Sequence, residues 1–206
     1  MDPAVQLVQA YLQVNGYFTA VEYPVVQATG DGGTRTVTDI DVLAFRFPAV
    51  GQPVGSEASP AFDPTSSWVD PALGCAAEEA DMIVAEVKQG RARVNPAMRD
   101  PAVLEAALAR FGCCAPGPHA ERTVRRLLSR GAARTSTGHR IRLCAFGSGG
   151  SVPHAHTVTL DAVVDYLDRY LATHWTTIGR AQLSQPALAM LSVLRKARLQ
   201  SSGEKR

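Results

Sequence analysis

From residue 4 to residue 14 (AVQLVQAYLQV), apolar side chains recur at helical spacing, with Val5, Val8 and Leu12 on one line and Leu7, Tyr11 and Val14 on another. That period predicts an amphipathic helix, and Asn15-Gly16 predicts its end. The pattern then changes. Residues 17–28 (YFTAVEYPVVQA) and 36–47 (TVTDIDVLAFRF) are dense in aromatic and β-branched residues. They predict two strands that pair with each other, joined by the turn TGDGGT at residues 29–34. Pro24 marks the first strand as an edge or an irregular one. Residues 48–80, rich in Pro, Gly, Ser and Asp, predict a long insertion with little regular structure, anchored by Trp68. The apolar run 81–88 (DMIVAEVK) predicts a third, short strand.

Helical spacing returns after residue 95. Asn95-Pro96 and Asp100-Pro101 each read as a cap followed by a first-turn proline. Leu104, Ala107, Leu108 and Phe111 share one face of a helix over 101–111, ended by Gly112, and residues 120–130 (AERTVRRLLSR) predict another, ended by Gly131. Residues 139–146 (HRIRLCAF) alternate Ile141, Leu143 and Ala145 against Arg140, Arg142 and Cys144, which predicts a fourth strand. Thr159 caps a helix running to about residue 173, with Leu160, Val163, Val164, Leu167, Tyr170 and Leu171 on its apolar face. A last helix is expected over 186–199, with Trp175 and His174 packed against it, followed by a polar, disordered tail from Gln200. The order α-β-β-β-α-α-β-α-α specifies an α/β fold: a mixed central sheet flanked by helices, with a C-terminal helical extension over 157–199.

Length and composition narrow this further. A chain of 206 residues with 46% hydrophobic content suits one core, so a single domain over residues 1–206 is expected. Nothing approaches the ~20 apolar residues of a membrane span, and Met1-Asp2-Pro3-Ala4 begins no signal-type segment. A cytoplasmic protein that does not engage membranes is expected. Its four cysteines include the adjacent pair Cys113 and Cys114 and form no CxxC, which favours free thiols. The net charge of +2 hides an asymmetry: residues 1–88 hold 3 Lys/Arg against 12 Asp/Glu, and residues 89–206 hold 18 against 7. The acidic half suits a cation and the basic half a polyanion.

Candidate chemistry sits on the strands of the acidic half. Residues two apart in a strand face the same way, so Glu86 and Lys88 lie side by side, as do Asp39 and Asp41. If those strands pair, the four groups converge. Neighbouring carboxylates repel, a cation relieves the repulsion, and oxygen ligands suit Mg²⁺ or Mn²⁺. The segments Thr38-Asp39-Ile40-Asp41-Val42-Leu43-Ala44 and Ile83-Val84-Ala85-Glu86-Val87-Lys88 resemble the PD-(D/E)xK nuclease superfamily, whose pattern is an acidic residue on one core strand and Glu-x-Lys on the next. The resemblance implies a restriction endonuclease-like core over about residues 4–147, similar to that of Holliday-junction resolvases. It also implies a Mg²⁺-dependent nuclease in which Asp41 and Glu86 hold the metal and Lys88 assists, with Asp39 or Glu22 as a further carboxylate. Many members carry a glutamate on the first helix, where this chain has Gln6, Gln9 and Gln13. From that departure comes the alternative of a catalytically inactive nuclease-fold module that binds nucleic acid or a partner protein.

For substrate contact the sequence offers Gln89 and Arg91, just past Lys88, and the row Arg122, Arg126 and Arg130, spaced every four residues along one helix face. The expected partner is nucleic acid, DNA rather than RNA, with a homodimer or a partner protein aiding recognition by analogy with the family. His154 and His156 flank Ala155 ahead of a helix, within reach of phosphate or proton-transfer roles. The C-terminal helices over 157–199 are a third place where function could lie, as a protein-interaction surface. There is no Walker loop, zinc finger, HExxH or GxSxG pattern.

Overall fold

The computed structural model describes residues 2–30, 32–48, 69–76 and 78–201. An opening helix, α1 (Pro3–Val14), leads into β1 (Phe18–Ala28), β2 (Thr34–Arg46) and β3 (Asp81–Val87). Two helices follow, α2 (Pro101–Phe111) and α3 (Pro118–Arg130), and then β4 (Ala132–Arg134), β5 (Arg140–Gly147) and β6 (His156–Thr159). The chain ends in α4 (Leu160–Thr173), a single turn α5 (Trp175–Ile178) and α6 (Pro186–Ser201). The strands form one six-stranded sheet in the order β1-β2-β3-β5-β4, with β6 also on β5. β2 is antiparallel to both β1 and β3, β3 and β5 are parallel, and the outer edge of β5 is shared by antiparallel β4 and parallel β6. The protein is therefore a mixed α/β fold with helices on both faces of a mixed sheet.

Each face carries its own core. On one, Val5, Val8, Tyr11 and Leu12 of α1 meet Ala44, Ile83, Ala85 and Phe146 of the sheet and Val163, Leu167 and Leu171 of α4. On the other, Leu104 and Leu108 of α2 and Val124 and Leu127 of α3 meet Leu43, Val84, Ile141 and Leu143. Every residue of β3 is buried because it is central and covered on both sides. Each fully buried Leu, Val or Ile contributes roughly 1.5–3 kcal/mol, which places most of the stability in the layers around β3 and β5. No helix among the described residues is long and apolar enough to cross a membrane.

Local chemistry sets the boundaries. Asp2 caps α1 through Ala4 N–H, Asp100 caps α2 through Ala102 N–H, and Thr159 caps α4 through Ala162 N–H. Gly112 and Gly131 end α2 and α3 in left-handed conformations. The Asn95-Pro96 signal yields only a 3₁₀ turn, Pro96–Arg99. Asp100 precedes a proline and must be extended (φ −76°, ψ 122°), so a helix cannot run through it.

Several sequence expectations are corrected. The strand expected fourth is fifth, because β4 has three residues and β6 four, too short for a period to register. Arg142 and Cys144 are buried along with the alternating Ile141, Leu143 and Ala145, and all but the first residue of β5 are buried, since helices cover both of its faces. The final helix continues through Ser201, past the expected start of the tail at Gln200. Trp68 and most of the 48–80 insertion lie outside the described residues. The end of that insertion is well tied down. Asp70 accepts a bond from Tyr11 Oη at 2.8 Å, its N–H donates to Asn15 Oδ1 at 2.6 Å, and Pro71–Leu73 forms a 3₁₀ turn. The Trp175 expectation holds, with the Arg195 guanidinium of α6 stacked 5.4 Å from its ring centroid.

Candidate active site

Antiparallel pairing of β2 with β3 runs from Arg46 and Asp81 to Val42 and Ala85. Beyond that point β3 continues to Val87, whose N–H has no backbone partner on β2. The carboxylate of Asp41 takes the vacant place: its Oδ2 accepts from Val87 N–H at 2.7 Å. A strand terminus and a short acidic side chain thus satisfy each other, and the carboxylate is held at the end of β3.

Glu86 lies one residue earlier on β3, opposite Ala145 of β5. Ala145 packs with Ala92 and Val152, so the flank of Glu86 is apolar and the residue is 1% exposed. Lys88 folds back over it. Its Nζ lies 2.5 Å from Glu86 Oε1 and 3.7 Å from Asp41 Oδ2. The other oxygen, Glu86 Oε2, is buried and without a hydrogen-bond partner. Burial pushes the Glu86 carboxyl above the usual glutamate range, opposed by the bond from Lys88, aided by the Asp41 charge, and opposed again by the charges of Lys88 and Arg93. Asp41 and Lys88 remain partly open to solvent, with side-chain exposures of 21% and 30%.

This arrangement fits a hard divalent cation on its donor chemistry: one carboxylate oxygen is buried and orphaned, and a second carboxylate stands beside it. The further carboxylates expected from sequence do not join them. Asp39 is exposed and sits opposite Pro24 on β1. Its expected alignment with Asp41 fails because Ile40 and Leu43, three apart, pack into the same core, so strict alternation breaks around Asp41. The break has a visible neighbour. Glu22, exposed on β1, takes a left-handed φ of 49° at the position between the Val21–Val42 and Tyr23–Ile40 pairs. Among the described residues no group of three His, Cys, Asp or Glu side chains is arranged to hold a metal.

The segment after Lys88 is fixed by the loop after β5. Lys88 N–H donates to Phe146 O at 2.9 Å, Ser148 N–H to Gly90 O at 2.8 Å, and Ala92 N–H to Gly149 O at 2.9 Å. Gly147 makes this possible. A Cβ there would come within 2.4 Å of Ala92 N and 2.7 Å of Gly90 O, both backbone atoms. Gly147→Ala is expected to cost about 1–3 kcal/mol, the range for overpacking, measured as a lower urea midpoint. A midpoint equal to wild type would mean that the two loops are not fixed to each other. Gln89 is engaged by the cap of α1, donating to both Asp2 oxygens at 3.1 and 3.2 Å. Arg91 is exposed with its guanidinium against Gly150.

The arginines divide. Arg122, Arg126 and Arg130 are exposed on the outer face of α3, whose inner face buries Thr123, Val124 and Leu127. Arg142 is 1% exposed and bonded to Asp81, and Arg134 pairs with Glu79. His156 is on β6, with Nε2 2.7 Å from Ala72 O, and His154 has a left-handed φ of 56°. Sequence reasoning missed the Asp81–Arg142 pair. Its one available signal was a charged residue on each of two otherwise apolar strands. Compared with protein-family models, curated proteins and solved structures, the chain gives no match.

Proposed function

We propose that the chain is a Mg²⁺-dependent nuclease that hydrolyses DNA phosphodiester bonds, built on a restriction endonuclease-like core of the PD-(D/E)xK kind. One observation carries the reading: a buried carboxylate with an unpartnered oxygen, Glu86, beside a second carboxylate, Asp41, with Lys88 within ion-pair reach of both. Burying an unneutralised carboxylate is costly, and such groups concentrate where chemistry is done. Mg²⁺, or Mn²⁺ in its place, held by Asp41 and Glu86 would neutralise the pair and supply Lewis-acid activation for attack of water on phosphorus.

The protein's own groups have separable tasks. Val87 N–H orients Asp41 through Oδ2 and leaves Oδ1 for a ligand. Lys88 has three donors and uses one on Glu86. The others can bond phosphate oxygens as negative charge builds and the bond to the leaving oxygen breaks. Arg91 and the row on α3 offer cations to a phosphate backbone. Recognition would draw on DNA shape, a second copy of the chain or a partner protein.

A second reading, an inactive module of the same kind that binds nucleic acid or a protein, is favoured by the bond between Lys88 and Glu86, which compensates one carboxylate without any metal. One experiment separates the two. Mn²⁺ is titrated calorimetrically into wild type and Asp41→Asn, and the same samples are assayed for nicking of supercoiled plasmid. Binding and nicking by wild type, with both lost in Asp41→Asn, is the expected result. A folded wild type that neither binds Mn²⁺ nor nicks the plasmid leaves the inactive module.

A further inference from the structure

The outer edge of β5 holds a second concentration of polar side chains, which apart from Arg130 of the α3 row have no part in the proposed cleavage. β4 pairs with Arg140, Ile141 and Arg142, whereas β6 pairs from Cys144 onward. Where the two short strands approach each other, a cleft of about 320 Å³ opens, lined by Arg130, Arg140, Arg142, His154 and His156, with no Asp or Glu on its wall. Its walls are held in place. A Cβ on Gly131 would come 2.5 Å from His154 O, so the end of α3 and the turn at His154 are in direct contact. His156 is fixed by its bond to Ala72 O, which as an acceptor makes Nε2 the donor and leaves Nδ1 as the second ring position.

Three features select the ligand. Arg142 is consumed by Asp81 and Leu73 O, but Arg140 spends a single donor on Gly74 O, and Arg130 makes no hydrogen bond or ion pair among the described residues. Two arginines with open donors around a cleft free of carboxylates repel each other until an anion enters. Guanidinium forks match the oxygens of phosphate. The volume is at the small end of the range for organic ligands, which suits a phosphate with the group that carries it better than a bare halide. Finally, Arg126 and Arg130 continue the exposed row of α3 to the cleft, giving a cationic path to its mouth.

We propose that this cleft binds a phosphomonoester, held by Arg130 and Arg140 with His154 and His156 beside it, at a site separate from Asp41, Glu86 and Lys88. Its physiological source is the terminal phosphate of a nucleic-acid strand, and this part alone rests on the nuclease reading. A terminal phosphate brings up to two charges where a backbone phosphate brings one.

The probes are inorganic phosphate, followed by calorimetry, and one single-stranded dodecamer with and without a terminal phosphate, followed by fluorescence anisotropy. Wild type is expected to bind phosphate and to prefer the phosphorylated dodecamer about tenfold, the equivalent of one well-placed ionic contact. Arg130→Gln/Arg140→Gln, shown folded by circular dichroism, is expected to weaken phosphate binding at least tenfold and to bind both dodecamers alike. If the double variant melts early, Arg130→Gln alone, on an exposed side chain, carries the comparison. Asp41→Asn is expected to bind phosphate as wild type does, which separates failure of this site from failure of the candidate active site. Phosphate binding without discrimination between dodecamers would keep the site, assign it a small phosphorylated ligand and overturn the strand-end source. No phosphate binding by wild type, or equal binding by the arginine variants, overturns the proposal.

Discussion

Glu86→Gln is expected to abolish metal-dependent cleavage and, in the same protein, to raise the melting temperature at neutral pH. The substitution keeps the size of the side chain and an oxygen that can accept from Lys88, but removes the charge that would hold a divalent cation. Loss of a metal ligand should lower cleavage by roughly a thousandfold, equivalent to about 4 kcal/mol on the barrier. The stability gain has a separate cause. Burial pushes the Glu86 carboxyl above the usual glutamate range, so its ionised form strains the metal-free fold. Relief of such a group gives about 1 kcal/mol, or roughly 3 °C for a chain of this size.

The pH dependence follows from the same shift. Because the folded carboxyl is raised, its contribution to stability is complete below the pKa of unfolded glutamate and is lost as pH rises through the folded value. Wild type and Glu86→Gln should therefore melt together in acid and separate as pH rises, with the variant higher. Mn²⁺ should reverse the order at neutral pH by binding only the wild-type fold. Melting curves at a series of pH values, with and without Mn²⁺, read all of this. A variant that cleaves normally, or melts below wild type at every pH, would contradict the role assigned to Glu86.

The same residues explain why part of the site was legible in the sequence. Asp41, Glu86 and Lys88 meet because β2 and β3 are neighbours and a period of two aligns Glu86 with Lys88, both readable from the apolar runs that frame them. Asp39 was misplaced because the period was carried through a point where it breaks. That break coincides with the left-handed backbone of Glu22 on the adjoining strand, a tertiary feature with no mark in local composition. Most of the fold followed from caps and periods, as with Thr159 and α4. β4 and β6 escaped because each pairs with half of one edge of β5 and has too few residues to repeat a pattern. The cleft between them has no sequence mark for the same reason: the arginine row and the two histidines stand out singly, but only the pairing of β4 and β6 on β5 brings Arg130 and Arg140 to His154 and His156.

Arg142→Met is expected to be the most destabilising single change considered, and to act without touching the chemistry of the candidate active site. Arg142 and Asp81 lie side by side on β5 and β3, with side-chain exposures of 1% and 0%. Arg142 Nε lies 3.0 and 3.1 Å from the two Asp81 oxygens, Nη2 donates to Oδ2 at 2.8 Å, and Nη1 donates to Leu73 O at 2.5 Å. Tyr17 adds a bond to Asp81 Oδ2 at 2.6 Å, and burial with the nearby Asp81 charge pushes its phenol pKa up, so it stays a neutral donor. Removing the arginine leaves a buried carboxylate with one neutral partner, which costs about 3–5 kcal/mol. For a chain of this length that is a fall of roughly 10 °C. It also frees the Leu73 carbonyl and loosens the 69–76 segment from the sheet. If the cost is the stranded charge rather than lost packing, Asp81→Leu/Arg142→Met should recover most of it, and Tyr17→Phe added to that pair should change little more, because Tyr17 Oη still has Cys75 Sγ at 3.3 Å as a partner. Urea unfolding of the single, double and triple variants tests this, and a single variant with the wild-type midpoint would dismiss the pair as a structural element. The pair is at the start of β3 whereas Glu86 is near its end, and the apolar run Met82–Ala85 lies between them. The folded fraction of Arg142→Met should therefore bind Mn²⁺ with wild-type affinity, a readout that separates loss of the scaffold from loss of the site.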